Sequence, residues 1–265
     1  MAARRTWRYV TLDATGTLLR PAEPTGETYL RYWEQASGQR LSSARRSAAV
    51  AALTTRFLVE FRKLSTKKPN FGADGVATSA YPWWHELVLN VMTHAGVAAN
   101  VPEQIAERYT WELYTHFAQP EAWTVFPDVL PALEILATRG VAMGVISNFD
   151  ERLGSLLVGL GLSDFFQVAT ISFREEQMKP DASIFLKTFD KLRGESGKVA
   201  THEFLHVGDH VTRDYKAAIA VGAQGKLVWR SKSGTLNSGI CQRDVVRSLR
   251  EIALEAETPF LAKSS

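Results

Sequence analysis

A single cysteine, Cys241, is all that the 265-residue chain carries. That scarcity excludes an internal disulfide framework and points to a reducing compartment, cytoplasmic or mitochondrial. Long apolar runs are missing too: none approaches the roughly 20 residues a bilayer-spanning helix needs, so no membrane protein is expected. The charge has no dominant sign, with 31 basic residues against 28 acidic ones and a net charge of +3. The cations are scattered and no basic-aromatic motif accompanies them, so nothing specifies a nucleic-acid ligand, although a protein or ribonucleoprotein partner is permitted. Internal repeats and low-complexity segments are absent. The first residues, Met1-Ala2-Ala3-Arg4-Arg5, are basic and acid-free like a short targeting peptide. Strand-like sequence from Trp7 leaves too little length for a cleavable one, so an uncleaved mitochondrial signal is the alternative address.

What is present suits a soluble globular protein: 45% hydrophobic and 22% charged residues, in a length sufficient for one large domain or two modest ones. The run Trp7-Arg8-Tyr9-Val10-Thr11-Leu12 favours a pleated, half-buried strand, and it ends on Asp13 before Ala14-Thr15-Gly16-Thr17 breaks it. From Pro21 to about Pro120 the pattern is helical. Four helices are expected, opening near Gly26, Ser42, Pro82 and Pro102, and forming a small bundle with aromatic core stripes. After Pro127 the pattern alternates. Helices are expected over 129–139, 151–160, 182–192 and 211–220, with strands over 141–146, 166–171 and 204–207 and at 227–229. The tail is polar beyond Ser231 and weakly helical from Asp244 to Ala256. This order predicts an α/β fold, a mostly parallel sheet covered by helices on both faces. Residues 1–20 and 121–265 form the sheet domain, and the bundle 21–120 is an insertion.

In a parallel sheet the strands' C-terminal ends share one edge, where ligands bind. Asp13, Ser147-Asn148, Lys179 with Pro180-Asp181, and Asp209 with Asp214 are thereby expected to meet. Taken alone, Asp13 has a second reading as a turn or helix cap. As a set, these residues resemble a phosphoryl-transfer site. A carboxylate attacking phosphorus splits one difficult displacement into two easier ones. Lys179, Ser147 and backbone amides near Gly16 offer charge and donors to phosphate oxygens. Two carboxylates brought close together need a cation, and all-oxygen ligation by Asp13 and Asp209 suits Mg²⁺.

The segments Asp13-Ala14-Thr15-Gly16-Thr17-Leu18, Val145-Ile146-Ser147-Asn148, Lys179-Pro180-Asp181 and Val207-Gly208-Asp209 through Asp214 resemble, in order and spacing, the motifs of the haloacid dehalogenase superfamily. The resemblance implies a Rossmann-like three-layer sandwich with a helical bundle serving as a cap. It implies that Asp13 is the nucleophile, and that Ser147 and Lys179 bind phosphate together with Gly16, Thr17 and Asn148. It also implies metal ligation by Asp13, Asp209, the Thr15 carbonyl and Asp214, the last with an alternative as a structural helix residue. The substrate implied is a small phosphorylated molecule.

One position departs from the pattern. Phosphatases of that superfamily carry a second aspartate two residues after the nucleophile, and here Thr15 stands there. A hydroxyl cannot replace an acid-base group worth about 10²–10⁴-fold near neutral pH. Three readings follow: a slow or specialised Mg²⁺-dependent phosphohydrolase, an inactive protein that keeps the fold as a scaffold, or a 2-haloacid dehalogenase. Asp-x-Thr-Gly-Thr also resembles the phosphorylation motif of P-type ATPases. Elsewhere, His210 is expected to be exposed, His85 and His94 to be structural, Cys241 to be a spectator, and Arg152 and Arg213 to form surface pairs.

Overall fold

The computed structural model describes residues 6–98, 101–194, 200–230 and 239–256. The candidate targeting segment Met1–Arg5 and the polar stretch 231–238 lie outside them. Contacts divide the chain into two units. The first takes residues from 1–20, 125–148 and 157–265, the second from 21–124 and 149–156.

The first unit is built on a six-stranded sheet ordered β5-β4-β1-β6-β7-β8. Its strands are β1 (Tyr9–Leu12), β4 (Ala142–Ser147), β5 (Val168–Ile171), β6 (Phe204–Gly208), β7 (Gln224–Val228) and β8 (Val245–Val246). Every neighbouring pair is parallel. Strands β1 and β6 are buried along their whole length, which explains near-continuous apolar runs in place of alternation. Tyr9, Phe204 and Phe189 stack with centroids 4.5 and 4.1 Å apart, each contact worth about 0.5–1.5 kcal/mol beyond burial. The helices of this unit are α5 (Val129–Thr138), the four-residue α7 (Ser172–Glu175), α8 (Ala182–Arg193), α9 (Ala217–Ala220) and α10 (Leu249–Ala256). Helix α6 (Leu153–Gly159) begins in the segment 149–156 and ends in the first unit.

Three local differences from the sequence pattern have physical causes. The tail expected to be helical from Asp244 first contributes β8, an edge strand of two residues, too short to show any periodicity. The expected helix 211–220 opens as a wide turn over Val211–Lys216 before α9, with Asp214 N and Tyr215 N both donating to the His210 carbonyl. Two three-residue strands, β2 (Leu19–Pro21) and β3 (Trp123–Val125), pair as a separate ribbon flanking the helical insertion.

The second unit holds α1 (Thr25–Ser37), α2 (Ser43–Lys67), α3 (Tyr81–His94) and α4 (Glu103–His116) around a core of Tyr29, Leu30, Trp33, Leu53, Trp83 and Tyr109. No helix among the described residues is long and apolar enough to cross a membrane. Residues 149–156, assigned by the sequence pattern to the sheet domain, pack here. Arg152 corrects an expectation. It forms no surface pair: it is 8% exposed and makes a two-pronged ion pair with buried Asp150, at 2.8 and 2.6 Å. The aromatic faces of Tyr114 and Trp84 enclose its guanidinium at 3.9 and 5.1 Å.

Candidate active site

Register brings the strand tips level. Leu12 is paired with Val145 on one side and Val207 on the other, and Asp13 N donates to the Val207 carbonyl at 2.9 Å. Asp13, Ser147 and Asp209 follow within two residues of those partners. Carboxylate oxygens of Asp13, Asp209 and Asp214 all lie within 4.8 Å of one another.

Two glycines make this approach possible. A Cβ on Gly16 would lie 2.1 Å from Asp209 Oδ2, and the residue's φ of +87° disfavours any side chain. A Cβ on Gly208 would lie 2.2 Å from the Asp214 carboxyl carbon. The turn from Ala14 to Leu18 and the end of β6 can therefore press against carboxylates that any larger residue would displace.

Lys179 is the cation of the cluster, 2% exposed. Its ammonium donates to Asp13 Oδ1 at 2.6 Å, Asp214 Oδ1 at 2.6 Å and the Ile146 carbonyl at 2.8 Å. All three of its protons are engaged, so in this arrangement it orients the carboxylates. Asn148, expected to face phosphate, has both halves of its amide on the Lys179 backbone: Nδ2 donates to the carbonyl and Oδ1 accepts from the amide, each at 2.8 Å. It therefore sets where Lys179 sits. Ser147 Oγ donates to Asp13 Oδ1 at 3.3 Å. Asp181 caps α8 by accepting from Ser183 N at 2.8 Å. Thr15 is exposed, and Thr17 is fully buried with a hydroxyl that has no partner.

The electrostatics follow from burial and surplus negative charge. Burial raises the Asp13 carboxyl above the ordinary carboxylate range, with Lys179 opposing and Asp214 adding to the rise. Asp209 is pushed up to about 7 by desolvation and then by Asp13 and Asp214. Burial would raise Asp214 as well, but Lys179 and His206 outweigh it and hold the group below its usual range. For Lys179 burial works downward, and Asp13 and Asp214 overcome it to hold the ammonium above its usual value.

The sequence reading missed three supporting residues. His206, inside β6 and fully buried, approaches Asp214 Oδ1 through Nε2 at 3.3 Å and Thr11 Oγ1 through Nδ1 at 2.9 Å. A lone polar residue within an apolar strand was its only signal. Asp128 and Arg230 form a second set beside Thr17, with no motif to announce them. His210, expected to be exposed, is half-buried, and its Nδ1 accepts from Thr212 N and Arg213 N, each at 3.2 Å. His85 bonds Thr110 at 2.8 Å and His94 pairs with Glu60 at 3.3 Å, both inside the helical unit. Cys241 is exposed and free.

The family model for haloacid dehalogenase-like hydrolases matches residues 7–222. The chain belongs to that family. Haloacid dehalogenase-like hydrolase domain-containing protein 3 of Homo sapiens is 35% identical to this family member over 269 residues, covering 98% of this chain and all of that protein. Among solved structures, a HAD phosphatase from Thermococcus onnurineus aligns with a TM-score of 0.58 at 21% identity, covering 96% of this chain and all of the other. A 2-haloacid dehalogenase from Pseudomonas syringae aligns with a TM-score of 0.63, also at 21% identity, covering 95% and 99%. At that identity the two structures speak for the haloacid dehalogenase fold, which hosts both chemistries.

Proposed function

We infer that the protein is a Mg²⁺-dependent phosphohydrolase working through an aspartyl phosphate on Asp13, restricted to substrates whose leaving group departs without a proton. The observation that carries this reading is the surplus of anions. Three carboxylates lie together and the Lys179 ammonium pairs with two of them, Asp13 and Asp214, which leaves negative charge to be met by protons or by a further cation. A halide displacement has no use for that surplus, whereas a phosphoryl group and its metal do.

The donor set fits Mg²⁺. Asp13 and Asp209 would hold the ion with the Thr15 carbonyl, while both Asp214 oxygens are already engaged, Oδ1 by Lys179 and His206 and Oδ2 by the His210 amide at 2.9 Å. When bound, the ion neutralises charge on the phosphoryl oxygens. Lys179 and Ser147 both bond Asp13 Oδ1, so Oδ2 is the oxygen aimed to attack. Its bond to phosphorus forms as the bond to the leaving oxygen breaks, and the leaving group takes the electron pair. Water then adds to phosphorus, the bond to Asp13 breaks, inorganic phosphate departs and the water's proton passes to solvent. Thr15 supplies neither acid nor base, which confines the first step to acyl phosphates and activated esters.

Phosphate release from an acyl phosphate is expected to require Mg²⁺ and to fall about 10³-fold or more in Asp13→Asn. Thr15→Asp is expected to raise hydrolysis of an unactivated ester by about 10²-fold. An unchanged rate in Asp13→Asn would overturn the reading. The exposed threonine at position 15 favours one second reading, a binding protein that keeps the fold without turnover. It predicts intact Mg²⁺ binding with no phosphate release from either class of substrate.

A further inference from the structure

We propose that Arg230 is a positioning residue for the turn that follows the nucleophile, and that through it the C-terminal part of the chain sets the geometry of the site. The turn is held mostly by its own backbone. The Ala14 carbonyl accepts from the amides of Thr17, Leu18 and Leu19 at 3.3, 2.8 and 3.0 Å, and Gly16 N donates to the Leu19 carbonyl at 2.8 Å. The Thr17 carbonyl accepts from Arg230 Nη2 at 2.7 Å.

The guanidinium is itself fixed from two other directions. Its Nη1 meets Asp128 Oδ1 at 2.8 Å, and its plane covers the Phe126 ring with Cζ 4.0 Å from the centroid. Asp128 Oδ2 accepts from Ser248 Oγ at 2.9 Å and Leu249 N at 2.7 Å, at the start of α10. A chain of charge-assisted hydrogen bonds thus runs from α10 through Asp128 and Arg230 to Thr17. Arg230, Ser248 and Leu249 all lie beyond residue 222, where the family-model match ends.

The effect is geometric. Besides burial, the largest influences on Asp13 come from Lys179, Asp214 and His206, and those on Asp209 from Asp13, Asp214, Arg213 and Lys179. The turn has no slack, because Gly16 stands so close to Asp209 that a methyl group would overlap its carboxylate. Releasing Thr17 therefore changes the spacing between Asp13 and Asp209. The catalytic consequence rests on the phosphohydrolase reading, whereas the structural consequence does not.

The test compares Arg230→Met, Arg230→Lys and Ser248→Ala in the full chain. Amide hydrogen exchange at residues 16–19 is expected to rise about tenfold or more in Arg230→Met, with Arg230→Lys intermediate and Ser248→Ala showing a smaller rise of the same sign. With an acyl phosphate as substrate, kcat is expected to fall about tenfold in Arg230→Met while KM stays within about twofold, and Arg230→Lys to recover part of the loss. Exchange at 16–19 equal to the parent protein in both arginine variants, with only the melting temperature lowered, would overturn the proposal. If Arg230→Met does not fold, Arg230→Lys and Ser248→Ala decide it by the same exchange readout. Faster exchange without any turnover in the parent protein would uphold the positioning role and count against the phosphohydrolase reading alone.

Discussion

Two buried cations divide the labour of this molecule, Lys179 in the sheet unit and Arg152 in the helical one. Each is almost completely enclosed and each makes three directed hydrogen bonds. Arg152 meets one carboxylate, Asp150, whose Oδ2 also accepts from Trp84 Nε1 at 2.8 Å, and two aromatic faces complete the enclosure. The guanidinium there is held by Asp150 in a rigid fork, the arrangement that its planar geometry favours. Lys179 sits among three carboxylates and balances only part of their charge. Burial of charge is common to both places, and the difference lies in the surplus. The closed ion pair supports its own unit, whereas the carboxylate cluster is the feature on which the proposed phosphohydrolase reading rests.

Replacing the lysine is the strongest way to break this contrast. Lys179→Met leaves Asp13 and Asp214 buried without their cation. Phosphate release is expected to fall about 10³-fold or more, and stability by about 3–5 kcal/mol in denaturant unfolding. Saturating Mg²⁺ should return part of the stability. A variant as stable as the parent without metal would mean that the carboxylates are neutral and that no surplus exists.

The matching change in the helical unit has a single readout. Arg152→Met strands Asp150 and is expected to lower stability by about 3–5 kcal/mol as well. Phosphate release per folded molecule should stay within about twofold. A loss of activity in the folded variant, with stability unchanged, would reverse the roles assigned to the two cations.

A smaller effect comes from pH. Desolvation, and then Asp13 and Asp214, push the Asp209 carboxyl up to about 7 in the folded protein from the ordinary 3.8. The folded state therefore holds this proton more tightly than the unfolded chain. Its contribution to stability is complete below pH 3.8 and is lost as the pH rises through about 7. Without metal, the unfolding midpoint should decline across that window, and Asp209→Asn should remove this part of the slope. Mg²⁺, which competes with the proton, should bind more tightly as the pH rises through 7. An Asp209→Asn profile parallel to the parent's would show that the slope arises elsewhere.

The residues on the near side of the site were legible because strand tips announce themselves. Asp13, Ser147, Lys179 and Asp209 each end an apolar run or precede a helix start, and parallel strands leave only one edge on which such ends can meet. Asn148 and Lys179 were legible as residues but not as partners, since a side-chain amide clasping a distant backbone leaves no trace in spacing. The fate of Arg152 was hidden for a related reason. Asp150 is two residues away in sequence, yet the rings that bury the pair come from α3 and α4.

By itself the sequence determined the alternation of strand and helix, the helical insertion and the chemical identity of the groups at the strand ends, because these follow from local pattern and from the short reach of backbone hydrogen bonding. Tertiary structure alone decided that Asp13 and Asp214 would share one ammonium close to Asp209, that Gly16 and Gly208 would give these groups room, and that α10 would reach Thr17 through Asp128 and Arg230. Those outcomes depend on Coulomb and steric terms between residues as much as 213 positions apart in sequence, at distances that only the folded chain defines.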